Sequence, residues 1–153
     1  MTEYLTGSTE KEALELSQIL AGGYAGRGVC VNGAIHKIRN MGDVVFIILR
    51  KREGLVQTVC EMGETNIPLR ELAEEMAVEV RGLVVKEDRA PHGFELRLQS
   101  VRILSRPAQA MPVAVNKWKM DASLETRLDL RPLTLRNIRE RARFRIQEGI
   151  LRG

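Results

Sequence analysis

Apolar positions in this chain change their period, and the changes mark its elements. Between Gly28 and Leu104 they fall on alternate residues or in short β-branched runs; outside that stretch they recur every three or four residues. Ala13, Leu16, Ile19 and Leu20 make one apolar stripe, Thr9-x-x-Glu12 fits a capping box and Gly22-Gly23 is a stop, so a helix is predicted over Thr9–Leu20. Strands are predicted over Gly28–Arg39, Asp43–Arg50 and Leu55–Cys60, with Gly33 marking a bend or bulge in the first. Asn66–Met76 carries Leu69, Leu72, Ala73 and Met76 on one helical face, with Asn66 as cap and Pro68 in the first turn. Val78–Val85 alternates around Gly82. Phe94, Leu96 and Leu98 alternate with Glu95, Arg97 and Gln99, and that strand runs on to Leu104.

Three strands, a helix and two strands, with glycines in the long first and fourth strands, is the order of a five-stranded Greek-key OB barrel. The predicted fold is therefore an all-β core with added helices. An SH3-like or other small barrel competes; the helix between strands three and four favours OB. From Arg106 the pattern lapses into Pro107, Ala108, Ala110, Pro112 and Ala114, a linker composition. Leu133–Leu151 then reads as a helix with Leu135, Ile138, Ala142, Ile146 and Ile150 on one face and arginines 136, 139, 143 and 145 over much of the rest. The expected organisation is a barrel with its N-terminal helix over 1–105, a hinge over 106–132 and a terminal helix over 133–153. Nothing in the sequence covers that last apolar stripe, which implies a missing domain or a partner, including a second copy.

Composition adjusts this picture modestly. The 153 residues carry a formal charge of +4 and a pI of about 9.4, which favours a polyanionic partner without requiring one. Arginine is dense from Arg127 to Arg152, while Glu3 to Glu15 is mostly acidic. Cys30 and Cys60 sit in apolar strands and read as buried thiols, a disulfide needing neighbouring strands of suitable geometry. Two histidines and two scattered cysteines form no metal-ligand pattern, so metal is expected to be absent. With no signal-peptide core and no membrane-spanning run, a cytoplasmic location is expected.

The chemistry concentrates in Gly42–Gln57, a hairpin with Phe46 in one strand and Gln57 in the next. A flat ring beside an amide that both donates and accepts can stack on and read an unpaired base, although Phe46 alone reads more readily as a core ring than as a base platform. His36 reads as a structural or rim histidine. Lys117-Trp118-Lys119 has the look of a nucleic-acid stacker, but packing of Trp118 against the barrel or a missing domain is the favoured expectation. The arginines of 136–145 are expected to pair with an absent domain more than with nucleic acid. No Ser-His-Asp set, paired catalytic carboxylates or phosphate-cradling loop is present; Gly22-Gly23 and Gly26-x-Gly28 lack the strand-before, helix-after context. The chain is expected to bind and not to catalyse.

These residues resemble class II aminoacyl-tRNA synthetases of the aspartyl/asparaginyl branch, the aspartyl enzymes most closely. Val31-Asn-Gly33 with His36-Lys-Ile-Arg39, then Gly42–Gln57, then Gly93-Phe-Glu95-Leu with Val101–Ser105, and finally Arg127-Leu-Asp-Leu-Arg131 match in order over roughly Gly28–Arg152. The resemblance implies an N-terminal anticodon-binding domain that stops inside the first catalytic-domain helix. It implies that Phe46 stacks on an anticodon base, Gln57 bonds the middle uridine, Glu95 reads a first-position guanine, and Lys37 and Arg39 meet loop phosphates. It further implies ATP-dependent aspartylation of tRNA by the complete enzyme, with ATP and Mg²⁺ expected there and no cofactor in this chain. Departures include Gly33-Ala34 where Gly-Trp is usual, Leu49-Arg50-Lys51 where Leu-Arg-Asp is usual, and a short segment between Val115 and Arg127. The alternatives are a stand-alone OB module for single-stranded nucleic acid and a helix-mediated protein-interaction module. Aspartyl, asparaginyl and dual specificity all stay open.

Overall fold

The computed structural model describes residues 12–61, 67 and 69–153. They form two compact units, Met1–Ser105 and Arg106–Gly153. In the first, strands β1 (Gly28–Asn40), β2 (Val44–Arg50), β3 (Leu55–Glu61), β4 (Ala77–Lys86) and β5 (Phe94–Ser105) close a barrel in the order β1-β2-β3-β5-β4. All ladders are antiparallel except β3–β5. The closed ring and strand order are those of the expected OB fold.

Strand β1 belongs to two ladders: Gly28–Ala34 pairs with β4, and Ala34–Asn40 pairs with β2. Such a strand must bend, and Gly33 sits at the bend. A Cβ there would lie 3.1 Å from the Arg50 carbonyl oxygen and 3.4 Å from Leu49 Cβ. The actual bulge comes three residues later, where His36 is the extra residue between Ile35↔Leu49 and Lys37↔Ile48. Inward-facing Val31, Ile35, Ile47, Leu49, Val56, Val78, Val80 and Leu96 are almost wholly buried, each contributing about 1.5–3 kcal/mol by leaving water. Cys30 and Cys60 are buried free thiols.

The helices depart from the sequence expectations. The first, α1, covers only Leu16–Leu20. Before it the chain is extended, with Leu14 N–H bonded to Cys30 O (2.8 Å), and Gln18 Oε1 accepts from Glu15 N–H (2.7 Å) to start the helix there. The expected cap Thr9 lies outside the described residues, as do Asn66 and Pro68. Of the helix expected over Asn66–Met76, the described residues hold one 3₁₀ turn, Leu69–Glu71. Glu75 has φ +68°, which ends any helix and turns its N–H to Ile35 O (2.7 Å). Leu72 and Met76 nevertheless reach the core, as their spacing suggested.

The second unit has a small core of Val113, Val115 and Met120, packed by Met111, Leu130 and Leu133. Within the stretch expected as a hinge, α2 (Leu124–Asp129) is helical; α3 (Arg131–Thr134) and α4 (Ile138–Arg152) follow. The expected single helix from Leu133 is interrupted because Asn137 caps α4, its Oδ1 accepting from Arg139 N–H (3.0 Å) and Glu140 N–H (3.1 Å). The apolar stripe of α4 stays uncovered, with Ile146 63% and Ile150 75% exposed.

Gly82 faces the tightest backbone approach. A Cβ there would overlap the Arg97 carbonyl oxygen and lie 3.1 Å from its carbonyl carbon, whereas one on Gly28 meets nothing within 4 Å. Gly82→Ala is expected to lower barrel stability by about 1–3 kcal/mol, and Gly28→Ala far less. Urea unfolding followed by circular dichroism checks this, and equal midpoints for the two variants would remove close approach as the reason for Gly82.

Candidate nucleic-acid interface

The ladder register decides which side chains share the barrel's outer face, because directly opposed residues point to the same side. Phe46 stands between Arg39 of β1 and Val59 of β3, and Ile48 between Lys37 and Gln57. The parallel pairs Thr58↔Leu96 and Val59↔Arg97 set Gln57 beside Glu95. Lys37, Arg39, Phe46, Gln57 and Glu95, all chosen from sequence, therefore lie on one face. Lys37 and Arg39 are exposed; Phe46, Gln57 and Glu95 are half-buried. Phe46 is absent from the core cluster, whose members on its strand are Val45, Ile47 and Leu49. It is not a core ring.

The same register adds three residues that sequence reasoning passed over. Ile48 and Val59 are each 7% exposed yet stand outside the core cluster, giving the face an apolar floor. Exposed Arg97 stands two residues from Glu95 on the same side. Alternation along β5 carried the signal for Arg97; Ile48 and Val59 were hidden because an apolar residue in a strand reads as core.

Gln57 Nε2 donates to Glu95 Oε2 at 3.1 Å. A carboxylate only accepts, so this bond fixes the amide with its NH₂ toward Glu95 and leaves Gln57 Oε1 and Glu95 Oε1 with lone pairs to offer. A carboxylate suits the N–H edge of guanine, and an amide suits the mixed edge of uracil. The two groups hold each other in place before any ligand arrives.

Other cations of the hairpin are engaged internally. Arg50 makes a two-pronged pair with Glu75, Nη1–Oε1 2.6 Å and Nη2–Oε2 2.7 Å, and both side chains are about 95% buried. Lys51 Nζ donates to Asn32 O (2.9 Å) and lies 3.3 Å from a Glu15 carboxylate oxygen. The charge reversal in Leu49-Arg50-Lys51 thus serves packing beneath the turn. His36, the bulge residue, is 8% exposed with Nδ1 3.4 Å from Arg50 Nη1. A guanidinium only donates, so that nitrogen is the acceptor and the ring is neutral. Burial and then the Arg50 charge hold the His36 pKa below the usual imidazole value, against a smaller opposing effect of Glu75.

In the second unit, Trp118 is 76% exposed. Among the helix arginines, Arg143 pairs with Glu140 (3.0 Å), and Arg139 lies over Trp118. Among the described residues, no three His, Cys, Asp or Glu side chains converge on a metal-holding position. Nor is any helix among them long and apolar enough to cross a membrane.

A closed five-stranded barrel with a ring, a hydrogen-bonded amide and carboxylate, and a rim of cations on one face has the form of an OB-fold nucleic acid binding domain. Residues 29–104 match the tRNA anticodon model of that OB-fold class, and the barrel belongs to this anticodon-binding family. Aspartate–tRNA(Asp/Asn) ligase of Methanococcus vannielii is 37% identical over 132 residues, 84% of this chain and 30% of the relative. The Thermus thermophilus ligase of the same name is 36% identical over 130 residues, 85% of this chain and 29% of the relative. The chain thus spans about 30% of the length of the curated relatives it matches. The fold recurs in a putative aspartyl-tRNA synthetase of Leishmania major, with TM-score 0.77 and 19% identity over 99% of this chain and 33% of that one. The resemblance read from the motifs is upheld: this is the anticodon-binding OB domain of aspartyl/asparaginyl-tRNA synthetase homologues.

His36 gives the barrel a pH dependence with a definite sign. Its folded pKa lies below the unfolded 6.5, so its contribution to stability is present in full above that pH and is lost as pH falls toward the folded value. Urea midpoints are expected to drop between pH 7.5 and 5.5, and His36→Gln, which keeps an acceptor for Arg50, to flatten the drop. An identical drop in the variant would show that other groups carry it.

Proposed function

We propose that the outer face of the barrel reads a tRNA anticodon loop: Phe46 stacks on one base, Gln57 bonds the middle uridine and Glu95 accepts from a first-position guanine. Lys37 and Arg39 meet loop phosphates, and Arg97 joins them on the same face. The observation that carries this reading is the meeting of all five sequence-chosen residues on one face, with Gln57 and Glu95 already bonded. One such face offers only about 1–3 kcal/mol per stacked base plus a salt-sensitive phosphate contribution. Micromolar or weaker binding of an isolated anticodon stem-loop follows. In a complete protein of this family the face positions the tRNA for aspartylation in the cytoplasm, with ATP and Mg²⁺ serving a catalytic domain.

Phe46→Ala is expected to weaken stem-loop binding about fivefold or more while leaving the unfolding midpoint nearly unchanged. Glu95→Gln is expected to erase the preference for guanine at the first position. Anisotropy titrations of labelled stem-loops check both. Equal affinity of the unaltered protein for loops differing in the first base would sink base reading and favour a non-specific single-strand binder.

The exposed stripe of α4 supports a second reading, self-association through that helix. Sedimentation equilibrium is expected to show a dimer that the Ile146→Asp/Ile150→Asp double variant dissolves. A monomeric unaltered chain would end that reading.

A further inference from the structure

The two units carry net charges of opposite sign. Residues 1–105 hold thirteen Lys and Arg against fifteen Asp and Glu, net −2; residues 106–153 hold eleven against five, net +6. General attraction for a polyanion therefore belongs to the smaller unit, which nothing above assigns to RNA. Its most exposed aromatic side chain is Trp118, 76% accessible and flanked by exposed Lys117 and Lys119.

The segment that carries this ring is held firmly. Val115 and Met120, on either side, are buried at 2% and 3%. Between them, Asn137 Nδ2 donates to Val115 O (2.9 Å) and Lys117 O (2.7 Å), while Asn137 Oδ1 caps α4. All the hydrogen-bonding capacity of that buried amide is used, so the Trp118 segment and the first turn of α4 form one piece. On that piece the Arg139 guanidinium lies 5.9 Å from the centre of the Trp118 ring. The Lys117 and Lys119 side chains enter no hydrogen bond or ion pair among the described residues. Glu140, in the same turn as Arg139, is engaged by Arg143 and Arg127; exposed Asp121 is the other nearby carboxylate in sequence.

We propose that Trp118, with Lys117, Lys119 and Arg139, is a second RNA contact of this protein, in which the indole stacks on an unpaired base and the three cations meet its flanking phosphates. An aromatic face fixed in water with unpaired cations around it suits single-stranded nucleic acid, since every base offers a π-face and every linkage a charge. A protein interface would surround the ring with apolar neighbours, and lysine is depleted there. The inference rests on RNA being the partner of the barrel.

Trp118 is the only tryptophan, so its emission reports this site alone. The full chain is titrated at low salt with a labelled single-stranded RNA 12-mer, and anisotropy and tryptophan emission are followed together. Saturable quenching with the anisotropy midpoint is expected, and it is expected to persist at saturating RNA in Phe46→Ala. Trp118→Ala is expected to bind about fivefold or more weakly, the low end of a base–aromatic stack, with Trp118→Phe between the two. RNA binding with unquenched Trp118, or unchanged affinity in Trp118→Ala, overturns this site and leaves the barrel reading intact. Anisotropy silent toward both this RNA and the anticodon stem-loop overturns both readings. An emission blue shift that grows with protein concentration and ignores RNA makes Trp118 a self-association contact, and the proposal falls.

Discussion

The close approach of Gly33 to the Arg50 backbone and the bulge at His36 that follows it are the constraint on which the reading face depends. Before the bulge, β1 and β2 pair as Ala34↔Arg50 and Ile35↔Leu49; after it, as Lys37↔Ile48 and Arg39↔Phe46. Were His36 paired in a regular ladder instead of bulged out, Lys37 would oppose Ile47 and Arg39 would oppose Val45, both core positions. A one-residue slip exchanges the faces of a strand. The bulging of one histidine thus keeps two cations out of the core and sets them beside Phe46. The residue that does this must itself go somewhere, and it is buried against Arg50.

Geometry explains why a buried charge pair is tolerated beside His36. Arg50 and Glu75 together cost desolvation that their attraction only offsets when the geometry is good. Here it is two-pronged, and the backbone of Glu75 is bonded to Ile35 beside the bulge. The pair therefore ties the β3–β4 connection to the place where β1 changes register. Lys51, bonded to Asn32 of β1, adds a second tie a few residues away. Neither cation is left to meet phosphate, so the basic look of the hairpin turn overstates its role in binding.

The strands were legible in the sequence because alternation and β-branched runs persist when strands close into a barrel, and Gly33 and Gly82 marked real close approaches. Phe46, Gln57 and Glu95 could be picked out individually. That they share a face depends on register, which a bulge can invert and which no local pattern records. The helices were less legible. Leu14 prefers a backbone bond to β1 over the first helix, Glu75 takes a left-handed conformation to reach Arg50, and Asn137 bonds two distant carbonyls and so breaks what periodicity alone would continue. In each case a tertiary contact overrode a correct apolar spacing. Leu16, Ile19, Leu72 and Met76 are buried as their spacing suggested, whereas Leu20 of the same stripe is exposed and the backbone path differs.

The distribution of charge bears on how such a domain stays selective. A face crowded with lysine and arginine would hold any RNA through phosphate contacts that carry no sequence information. This barrel is slightly acidic overall, places the Glu95 carboxylate on its outer face, and internalises Arg50 and Lys51. Its few outward cations rim an apolar floor, which on the proposed reading gives stacking and edge contacts a large share of the binding. On the same proposal, the basic residues gathered in the smaller unit supply attraction without blurring discrimination. A whole-chain charge of +4 hides this division. On that proposal, separation of the two tasks along the chain lets each be strong without weakening the other.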